Sequence, residues 1–376
     1  MNSSLELSAA FGGAFRGKRV LVTGHTGFKG SWLCEWLLAL GADVTGLALP
    51  PPTEPALFDQ LGLPGRLHDR RGDIRDPATV RVAFAAAQPD FVFHLAAQPL
   101  VRLSYEQPVE TYATNVMGTI HVLEALRELR RPCTAVLVTT DKCYENHERP
   151  HGYAEDDPLG GHDPYSSSKA ACEIAIASWR RSFFARHPVA IASARAGNVI
   201  GGGDWATDRI VPDCVRALVR GEPIAVRNPG ATRPWQHVLE PLGGYLWLAA
   251  CLADPRRAVR GEGLASAFNF GPGPDANQPV ARLVDEVLKT WPGSWVDKSD
   301  PHAVHEATLL QLNIAKAAAH LGWTPIWSFA EAVHQTISWY RANGAGAKPD
   351  AVHAFTRGQI ASYCRRAADR GARWAG

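Results

Sequence analysis

Two side chains four positions apart, Tyr165 and Lys169, have the types and the spacing needed to move a proton. On a helix this Y-x-x-x-K spacing places both side chains on one face. A tyrosine is a poor base near neutrality because its pKa is ordinarily about 10. An adjacent ammonium favours the phenolate and lowers that pKa. The pair therefore predicts a tyrosine base tuned by a neighbouring lysine.

A polar segment upstream, V-T-T-D-K-C-Y at residues 138–144, ends a predicted strand. Thr140 could hydrogen-bond a substrate hydroxyl together with the Tyr165 oxygen. Asp141 and Lys142 would indicate only a polar strand exit exposed to solvent if the T-D-K stood alone. Because the segment precedes Tyr165 at the same edge of the predicted sheet, we interpret all three residues as part of a catalytic group.

A glycine-rich turn near the start of the chain, T-G-H-T-G-F-K-G at residues 23–30, contains three glycines spaced three apart. Gly24 permits a tight turn, Gly27 lets the backbone approach a pyrophosphate, and Gly30 lets helix and strand pack closely. The N-terminus of the following helix attracts the same anion. A plain strand-to-helix turn would also explain the glycines. Their place on the first strand and helix of an alternating pattern predicts dinucleotide binding, with Lys169 within reach of a nicotinamide ribose.

The second predicted strand lacks a feature that dinucleotide sites usually have. A ribose-binding acid should close this strand about 20 residues after the glycines. Residues 47–52 contain no Asp or Glu, and Glu54 lies beyond three prolines. The usual carboxylate therefore does not choose between NAD and NADP. Asp73, after a third predicted strand, could lie over the adenine ring, or it could N-cap the helix that begins at Pro77.

The apolar pattern around these motifs alternates between strand and helix. Strands are predicted at residues 18–23, 43–49, 91–95 and 135–139, and helices at 31–40, 77–87 and 109–129. Such alternation is typical of a parallel sheet with helices on both faces, in which functional residues gather beyond the carboxyl ends of the strands. We expect an α/β fold with a Rossmann-type doubly wound parallel sheet.

Composition and charge narrow the class of protein. The 376 residues are 46% hydrophobic and 20% charged with a net charge of +2, which gives no field that would draw the chain to nucleic acid or to a membrane. The seven cysteines are scattered without a C-x-x-C. We therefore expect no metal site, no disulfide framework and a cytoplasmic location. No apolar run reaches the ~18 residues that span a bilayer.

Longer stretches of the sequence resemble a known family. They are G-K-R-V-L-V-T-G-H-T-G-F-K-G, H-L-A-A-Q-P-L-V-R-L-S-Y, T-N-V-M-G-T, T-T-D-K-C-Y-E-N, D-P-Y-S-S-S-K, R-A-G-N-V-I-G-G-G-D-W, D-R-I-V-P-D, R-P-W-Q-H-V-L-E-P and L-G-W-T-P. The chain resembles the extended short-chain dehydrogenase/reductases, and among these the 4,6-dehydratases that act on CDP-glucose. The D-K pair at 141–142 is the specific mark, because dTDP-glucose dehydratases have D-E there and epimerases have no such acid pair.

The resemblance implies a bound NAD and a role for each catalytic residue. Tyr165, with Thr140 and Lys169, takes the proton of the sugar 4-hydroxyl while the C4 hydride passes to NAD. Asp141 protonates the departing 6-hydroxyl. Lys142 removes the C5 proton as a neutral amine or stabilises the enolate as a cation. The hydride returns to C6, and the product would be CDP-4-keto-6-deoxy-D-glucose.

The resemblance also implies residues that bind cofactor and substrate. Besides the glycines, Tyr165 and Lys169, those expected at the cofactor are Thr26, Phe28, Lys29, Asp73, Ile74, Leu95, Ala96, Ala97, Gln98 and Thr114. Those expected at the nucleotide sugar are Asn198, Arg209, Arg227, Arg233, Trp235 and His237, with arginine forks on the diphosphate. Asn115 would brace the backbone of the site. Arg227 is evenly balanced between this role and a surface charge.

The expected domain plan is a flexible leader at 1–15 and an NAD-binding domain at 16–195, to which part of 235–270 returns. Residues 196–345, with helices at 280–290, 314–321 and 329–343, form a smaller C-terminal domain that mainly binds the nucleotide sugar, and 346–376 form a basic tail. Apolar stripes on helices 109–130 and 165–186 would form a four-helix interface in this family, although burial against their own sheet also explains them. A homodimer is expected, and a homotetramer stays open.

Two other functions compete with dehydration of CDP-glucose. A nucleotide-sugar 4-epimerase, or a dehydratase of another sugar nucleotide, would need Tyr165 and NAD, but an epimerase would need neither Asp141 nor Lys142. A non-catalytic NAD(P)-binding protein would keep the glycine turn and lose Y-x-x-x-K, which is intact in this sequence.

Overall fold

The structure, a computed structural model, describes residues 9–149, 151–259, 263–299 and 309–376. The strands within these ranges are β1 (Arg19–Thr23), β2 (Asp43–Ala48), β3 (His68–Arg71), β4 (Phe91–His94), β5 (Cys133–Val138), β6 (Val189–Ala196), β7 (Val199–Ile200), β8 (Ile224–Val226), β9 (Thr232–Pro234), β10 (Gln236–His237), β11 (Ala267–Phe270), β12 (Asn277–Pro279) and β13 (Trp295–Asp297). Seven of them form one parallel sheet in the order β11-β6-β5-β4-β1-β2-β3. The order reverses between β1 and β4, and ligands of such sheets bind at that point, beyond the carboxyl ends of the strands.

Helices cover both faces of this sheet. The α-helices of the described residues are α1 (Phe28–Ala39), α2 (Leu57–Gln60), α3 (Pro77–Ala87), α4 (Val101–Glu106), α5 (Pro108–Tyr112), α6 (Gly118–Glu128), α7 (Pro164–Trp179), α8 (Ile210–Arg220), α9 (Leu239–Ala253), α10 (Pro255–Val259), α11 (Val280–Thr290), α12 (Ala315–Leu321), α13 (Phe329–Ala342) and α14 (Pro349–Asp369). A π-helical turn, Ala113–Met117, joins α5 to α6. The fold predicted from the sequence is confirmed.

The alternation of side chains along β1 explains the two helical layers. Val20 and Val22 point into a core shared with α1, α9 and α14, whereas Leu21 points into a core shared with α3, α6 and α7. Successive residues of a strand face opposite sides of the sheet. Because both faces are apolar, the sheet requires a helical layer on each side, as parallel sheets usually do.

After β6 the chain forms shorter, paired strands. β7 pairs with β10 and β8 with β13 in parallel, and β9 pairs with β12 antiparallel. The observed α11, α12 and α13 match the predicted helices to within a residue at each end. The boundary at 195–196 between two domains stays a prediction.

The two ends of the chain pack against each other, which corrects two expectations. Phe11 is 1% exposed, and its ring stacks on that of Trp374 with centroids 5.1 Å apart. Trp374 is itself buried and stacks on Tyr363 of α14. The flexible leader is therefore wrong for residues 9–15, and 346–376 is no solvated tail, because large aromatic rings are stabilised by leaving water. Residues 1–8 lie outside the described residues.

A buried carboxylate joins α14 to α1, the helix that follows the glycine turn. Glu35 is fully buried, and Arg66 donates hydrogen bonds of 2.7 and 3.0 Å to its two oxygens. Arg357 of α14 also donates to Glu35, and His353 lies 3.2 Å away. Burial alone would raise the pKa of Glu35, but the Arg66 and Arg357 hydrogen bonds outweigh it and lower that pKa. The charged carboxylate is thus paired inside the core.

In the described ranges no helix is long and apolar enough to cross a membrane. The same ranges contain no group of three His, Cys, Asp or Glu side chains arranged to hold a metal ion. All seven cysteines are buried free thiols.

Candidate active site

The glycine turn between β1 and α1 has the shape that a dinucleotide requires. Gly24 has φ of 78°, and a Cβ there would lie 2.7 Å from the backbone nitrogen of Ala96. A Cβ on Gly30 would lie 2.1 Å from the Gly24 carbonyl oxygen. The nearest atom to a Cβ on Gly27 is 3.5 Å away, so the backbone at the start of α1 is accessible. These residues fit a pyrophosphate at the helix N-terminus.

Lys29, in the first turn of α1, points into the same pocket as the catalytic residues. Its Nζ donates a 3.2 Å hydrogen bond to the hydroxyl of Tyr245 on α9. Burial lowers the pKa of Lys29 to about 7, and the charges of Arg209 and Lys169 add to this while that of Asp141 opposes it. These mutual effects place the three charged groups close to Lys29. Tyr245 carries no sequence signal and was missed.

Thr26 and Phe28, also expected at the cofactor, shape the turn through protein contacts. Thr26 is 5% exposed and donates a 3.0 Å hydrogen bond to the carbonyl of Leu49, which ties the turn to the end of β2. Phe28 is half-buried, and a Cβ on Gly201 would lie 3.0 Å from its ring. Their contacts with a cofactor stay predictions.

Asp73 and Ile74 lie between β3 and α3. Asp73 accepts a 2.7 Å hydrogen bond from Arg75, and the N-cap of α3 is Asp76, which accepts from two backbone amides. The alternative in which Asp73 caps the helix is therefore wrong. Ile74 is 4% exposed and packs against Gly118, where a Cβ would lie 2.4 Å from its side chain. The contacts of Asp73 and Ile74 with a cofactor stay predictions.

The loop after β4, residues 95–98, is held by hydrogen bonds. The Gln98 backbone nitrogen donates to Asn115 Oδ1 at 2.8 Å, and Asn115 Nδ2 donates to the Gln98 carbonyl at 3.1 Å. Asn115 also donates to Ser168 Oγ on α7 at 2.9 Å. The predicted bracing role of Asn115 is confirmed. Thr114 is the half-buried neighbour of Asn115, and the side chains of 95–98 are half-buried as well.

Tyr165 and Lys169 lie on α7 and face inward together, 8% and 6% exposed. Asp163 caps the helix by accepting a 2.9 Å hydrogen bond from the Ser166 amide. The backbone nitrogen of Tyr165 donates to Ser104 Oγ at 3.1 Å. The first turn of α7 is thus fixed at both its own cap and its neighbour α4, which holds the tyrosine in place.

The pKa of Tyr165 departs from the sequence prediction. Burial dominates and raises the pKa of the phenol, while the Thr140 hydrogen bond and the charge of Arg209 oppose this rise. Burial also lowers the pKa of Lys169, and the charge of Glu173 opposes that change. The expected net lowering of the tyrosine pKa by its lysine is wrong for this structure, because the desolvation of the buried phenol outweighs the hydrogen bond with Thr140 and the charge of Arg209.

The T-D-K segment forms a short 3-10 turn, Asp141–Cys143, directly after β5. Thr140 Oγ1 donates to Asp141 Oδ1 at 3.0 Å and accepts from the Lys142 amide at 3.3 Å. Asp141 is 3% exposed, and a Cβ on Gly197 would lie 2.5 Å from its Oδ2. Burial raises the pKa of Asp141, opposed by the charges of Lys142 and Arg233 and by the Thr140 hydrogen bond. The carboxyl group of Asp141, next to Tyr165, therefore keeps its proton more readily than an exposed aspartate does.

A buried network beneath these residues was missed from the sequence. Glu173 of α7 is 1% exposed and accepts hydrogen bonds from Thr139 (2.5 Å), Ser193 (2.8 Å) and Arg195 (2.9 Å). Arg195 also donates to Tyr144 Oη at 2.7 Å. The network thus joins the helix of the Tyr–Lys pair to both ends of the T-D-K segment. Its signal was the spacing, because Glu173 follows Lys169 by four residues on the same helix face.

Two of the arginines expected at the substrate lie beside the catalytic residues. Arg209 donates a 2.9 Å hydrogen bond to Asp204 Oδ2, and its positive charge lowers the raised pKa of Tyr165. The charge of Arg233, on β9, acts in the same way on Asp141. The guanidinium groups of Arg209 and Arg233 therefore lie near Tyr165 and Asp141, and their contacts with a substrate stay predictions.

Arg227 lies farther out. It is 48% exposed and donates to Asp208 Oδ1 at 2.8 Å, with Asp213 Oδ2 at 3.5 Å. These pairs favour the surface-charge interpretation of Arg227.

Asn198 is half-buried between β6 and β7, and its contact with substrate stays a prediction.

Trp235 and His237, both expected at the substrate, are buried side chains. The indole nitrogen of Trp235 donates to the Gln278 carbonyl at 2.9 Å, and the side chain is 4% exposed. His237 is fully buried between the rings of Trp32 and Trp327, at centroid distances of 5.7 and 4.8 Å. Burial lowers the pKa of His237 to about 3, so it is a neutral ring. The contacts of Trp235 and His237 with a substrate stay predictions.

The sequence of the chain is similar to those of characterised dehydratases. It is 47% identical over 335 residues to the CDP-glucose 4,6-dehydratase of Salmonella typhimurium, covering 87% of this chain and 92% of that one. It is 32% identical to a dTDP-glucose 4,6-dehydratase of Streptomyces antibioticus, covering 88% of this chain and 94% of that one.

Solved structures share its fold. The dTDP-glucose 4,6-dehydratase of Streptomyces venezuelae, determined with NAD bound, is 25% identical with a TM-score of 0.72, over 86% of this chain and 98% of that one. The UDP-glucose 4-epimerase of Thermus thermophilus in complex with NAD is 26% identical with a TM-score of 0.74, over 86% and 99%. Residues 21–265 match the family described as GDP-mannose 4,6 dehydratase, and the chain belongs to this family.

Proposed function

We propose that this protein is an NAD-dependent 4,6-dehydratase of CDP-glucose. The observation that carries the proposal is Asp141, a buried carboxyl group whose pKa is raised, next to the tyrosine of an intact Y-x-x-x-K pair. A hydride-transfer enzyme without dehydration has no need of such an acid. The 47% identity to a CDP-glucose dehydratase and the D-K pair support the choice of CDP-glucose.

The first step is oxidation at C4 of the glucose. Tyr165 removes the proton of the 4-hydroxyl, and Thr140, which hydrogen-bonds the phenol, orients the same hydroxyl. NAD, bound at the glycine turn between β1 and α1, would supply a hydride acceptor for C4 and the same hydride for C6. Lys169 and Arg209 supply the positive charge that this chain itself contributes to the phenolate.

The second step eliminates water across C5 and C6. The 4-ketone acidifies the C5 proton, which leaves as the C6–O bond breaks. Asp141 gives its proton to the departing 6-hydroxyl, a role that its raised pKa supports. Lys142 receives the C5 proton as a neutral amine. In the alternative, Lys142 stabilises the enolate as a cation and solvent water takes the C5 proton.

The third step returns the protein groups to their starting states. With C6 reduced, C5 regains a proton from the group that took its proton, and the proton held by Tyr165 makes up for the one that Asp141 gave to the departing water. CDP-D-glucose has then become CDP-4-keto-6-deoxy-D-glucose and one water, without net oxidation or reduction of the cofactor. Arg209 and Arg233 would hold the diphosphate by charge-assisted hydrogen bonds, with Asn198 beside them.

The proposed assembly is a homodimer. Its interface would consist of helical residues 109–130 and 165–186, the second of which carries the Tyr165–Lys169 pair. Large apolar side chains are exposed on this side of the molecule: Tyr105, Val109, Tyr112 and Met117 around α5, and Ile174 and Phe183 on and after α7. Val109 is 77% exposed and Ile174 is 59% exposed, and large exposed apolar side chains of this kind mark candidate interaction surfaces. Light scattering of Val109→Glu and Ile174→Glu should show monomers where the wild type shows dimers. A tetramer that persists in both variants would contradict this interface.

The proposed location is the cytoplasm. Seven free, buried cysteines are typical of a reducing compartment. A thiol titration of the denatured protein from cells should count seven reduced cysteines, and disulfides would argue against this location.

The function is tested with CDP-, dTDP-, UDP- and GDP-glucose in parallel, with product masses as the readout. We expect a product one water lighter than the substrate, formed fastest from CDP-glucose. An isomer of unchanged mass would indicate a 4-epimerase instead. A loss of water from dTDP-glucose but not from CDP-glucose would support 4,6-dehydration as the reaction and would contradict CDP-glucose as the substrate.

A further inference from the structure

The end of β2 is where this protein departs from an ordinary NAD site. Its last residue is Ala48, followed by Leu49, and neither can accept a hydrogen bond from a ribose through its side chain. On the neighbouring strand β3, Arg71 is paired in register with Ala48. Adjacent strands lie about 4.8 Å apart. An arginine is therefore the nearest charged neighbour of the position at which an NAD site has its ribose-binding carboxylate.

The contacts of Arg71 direct its guanidinium to this same place. Its Nη1 donates to the Leu49 carbonyl at 3.2 Å, and its Nε and Nη2 donate to Asp69 Oδ2 at 3.1 and 2.8 Å. The group also stacks over the ring of Phe58, 5.0 Å from the centroid. These bonds use three of the five N–H groups, and each terminal nitrogen keeps one N–H for a further acceptor. Arg71 is 36% exposed, so this outer edge of the fork is accessible.

The carboxylate of Asp69 does not replace the missing acid. One of its oxygens is occupied by Arg71, and the other lies 2.8 Å from Nε2 of the fully buried His25 in the glycine turn. The His25 ring fills the space beside Gly46 of β2, where a Cβ would lie 2.2 Å from its Cγ. Asp69 is thus held by His25 at one oxygen and by Arg71 at the other, and its negative charge is paired with the positive charge of Arg71.

We propose that Arg71 makes the adenosine end of this site tolerant of a 2′-phosphate, so that the protein binds and uses NADP(H) as well as NAD(H). A bidentate arginine–phosphate contact compensates for the 2′-phosphate, which a carboxylate at the end of β2 would repel. The preference for NAD(H) over NADP(H) is weakened rather than reversed, because the charge of Arg71 is already neutralised by Asp69. The inference rests on the proposed function only in that both use the same dinucleotide site.

The test measures binding of NADH and NADPH by fluorescence titration to the full chain freed of bound nucleotide. We expect the wild type to bind NADPH within about tenfold of NADH. Arg71→Ala should weaken the affinity for NADPH by about 10- to 100-fold, the usual effect of losing hydrogen bonds to a charged group. The affinity for NADH should change by less than about threefold. Arg70→Ala is the matched control, since neighbouring residues of a strand face opposite sides and Arg70 should leave both affinities unchanged.

A second variant and a second readout keep the outcome decisive. Ala48→Asp should weaken NADPH and strengthen NADH, and retained NADH binding by each variant shows that it folds. Nucleotide extracted from freshly purified protein should contain NADP(H) beside NAD(H). A wild type that binds NADH but not NADPH, or an Arg71→Ala variant that weakens both equally, would overturn the inference and leave the dehydratase proposal intact. A wild type that binds neither would overturn both.

Discussion

Replacing Asp141 by asparagine removes the proposed acid while leaving the shape of the site. Asparagine has nearly the same volume, and its Oδ1 can still accept the 3.0 Å hydrogen bond from Thr140. The Asp141 side chain is 3% exposed, so bulk water has little access to the place of the carboxyl group. The variant should therefore bind CDP-glucose and oxidise C4, yet fail to expel water.

The magnitude follows from the role. General acid catalysis by a positioned side chain contributes about 10²- to 10⁴-fold, which corresponds to about 3–5 kcal/mol in the barrier of the elimination step. The raised pKa of Asp141 also sets a pH dependence. Because the acid must be protonated, wild-type elimination should slow as pH rises through that pKa, and the asparagine variant should lack this dependence.

The assay is a single turnover that follows NADH absorbance and product mass together. We expect Asp141→Asn to accumulate NADH to near one equivalent while the dehydrated product forms about 10²- to 10⁴-fold more slowly. The NADH signal serves as the control for folding and binding. Equal loss of both signals would show that Asp141 acts before elimination, and full retention of both would refute its role as the acid.

Three further perturbations test the supporting structure. Glu173→Gln removes a charge that opposes the lowering of the Lys169 pKa, so the alkaline limb of the pH–rate profile should move to lower pH; an unmoved limb would assign Glu173 a purely structural role. Glu35→Gln should cost about 2 kcal/mol in unfolding free energy at neutral pH, less than the 3–5 of wholly buried pairs because the cations are partly exposed. Since folding lowers the pKa of Glu35, this stabilisation is present above its ordinary value of 4.5 and lost as pH falls through the lowered pKa, so the difference between the two melting curves should close in acid. Gly27→Ala should leave the melting temperature nearly unchanged and weaken NADH binding, whereas Gly30→Ala should fail to fold stably, and the reverse order would contradict the described turn.

The sequence predicted the parallel sheet closely because the relevant signals are local. The apolar runs of β1, β2, β4 and β5 are bounded by glycine, proline or polar residues, and no end of an observed strand differs from the predicted end by more than two residues. The sequence also predicted that the Tyr165–Lys169 pair and the T-D-K segment lie close together, because the carboxyl ends of parallel strands meet at one edge of the sheet.

Long-range packing explains what the sequence did not reveal. Phe11 and Trp374 are separated by almost the whole chain, and nothing local indicates that their rings stack. His237 belongs to the motif R-P-W-Q-H, whose polar residues suggest a site. In the structure its ring is nevertheless buried between the rings of Trp32 and Trp327. The direction of the Tyr165 pKa shift depends on burial, which sequence spacing does not measure.

The central claim is an internal hydride transfer from C4 to C6 of CDP-glucose with loss of one water. The most direct measurement uses CDP-glucose that carries deuterium at C4, followed by mass spectrometry and NMR of the product. The account predicts a product that is one water lighter and has the deuterium at C6. A dehydrated product without deuterium, or an undehydrated product with deuterium still at C4, would contradict it.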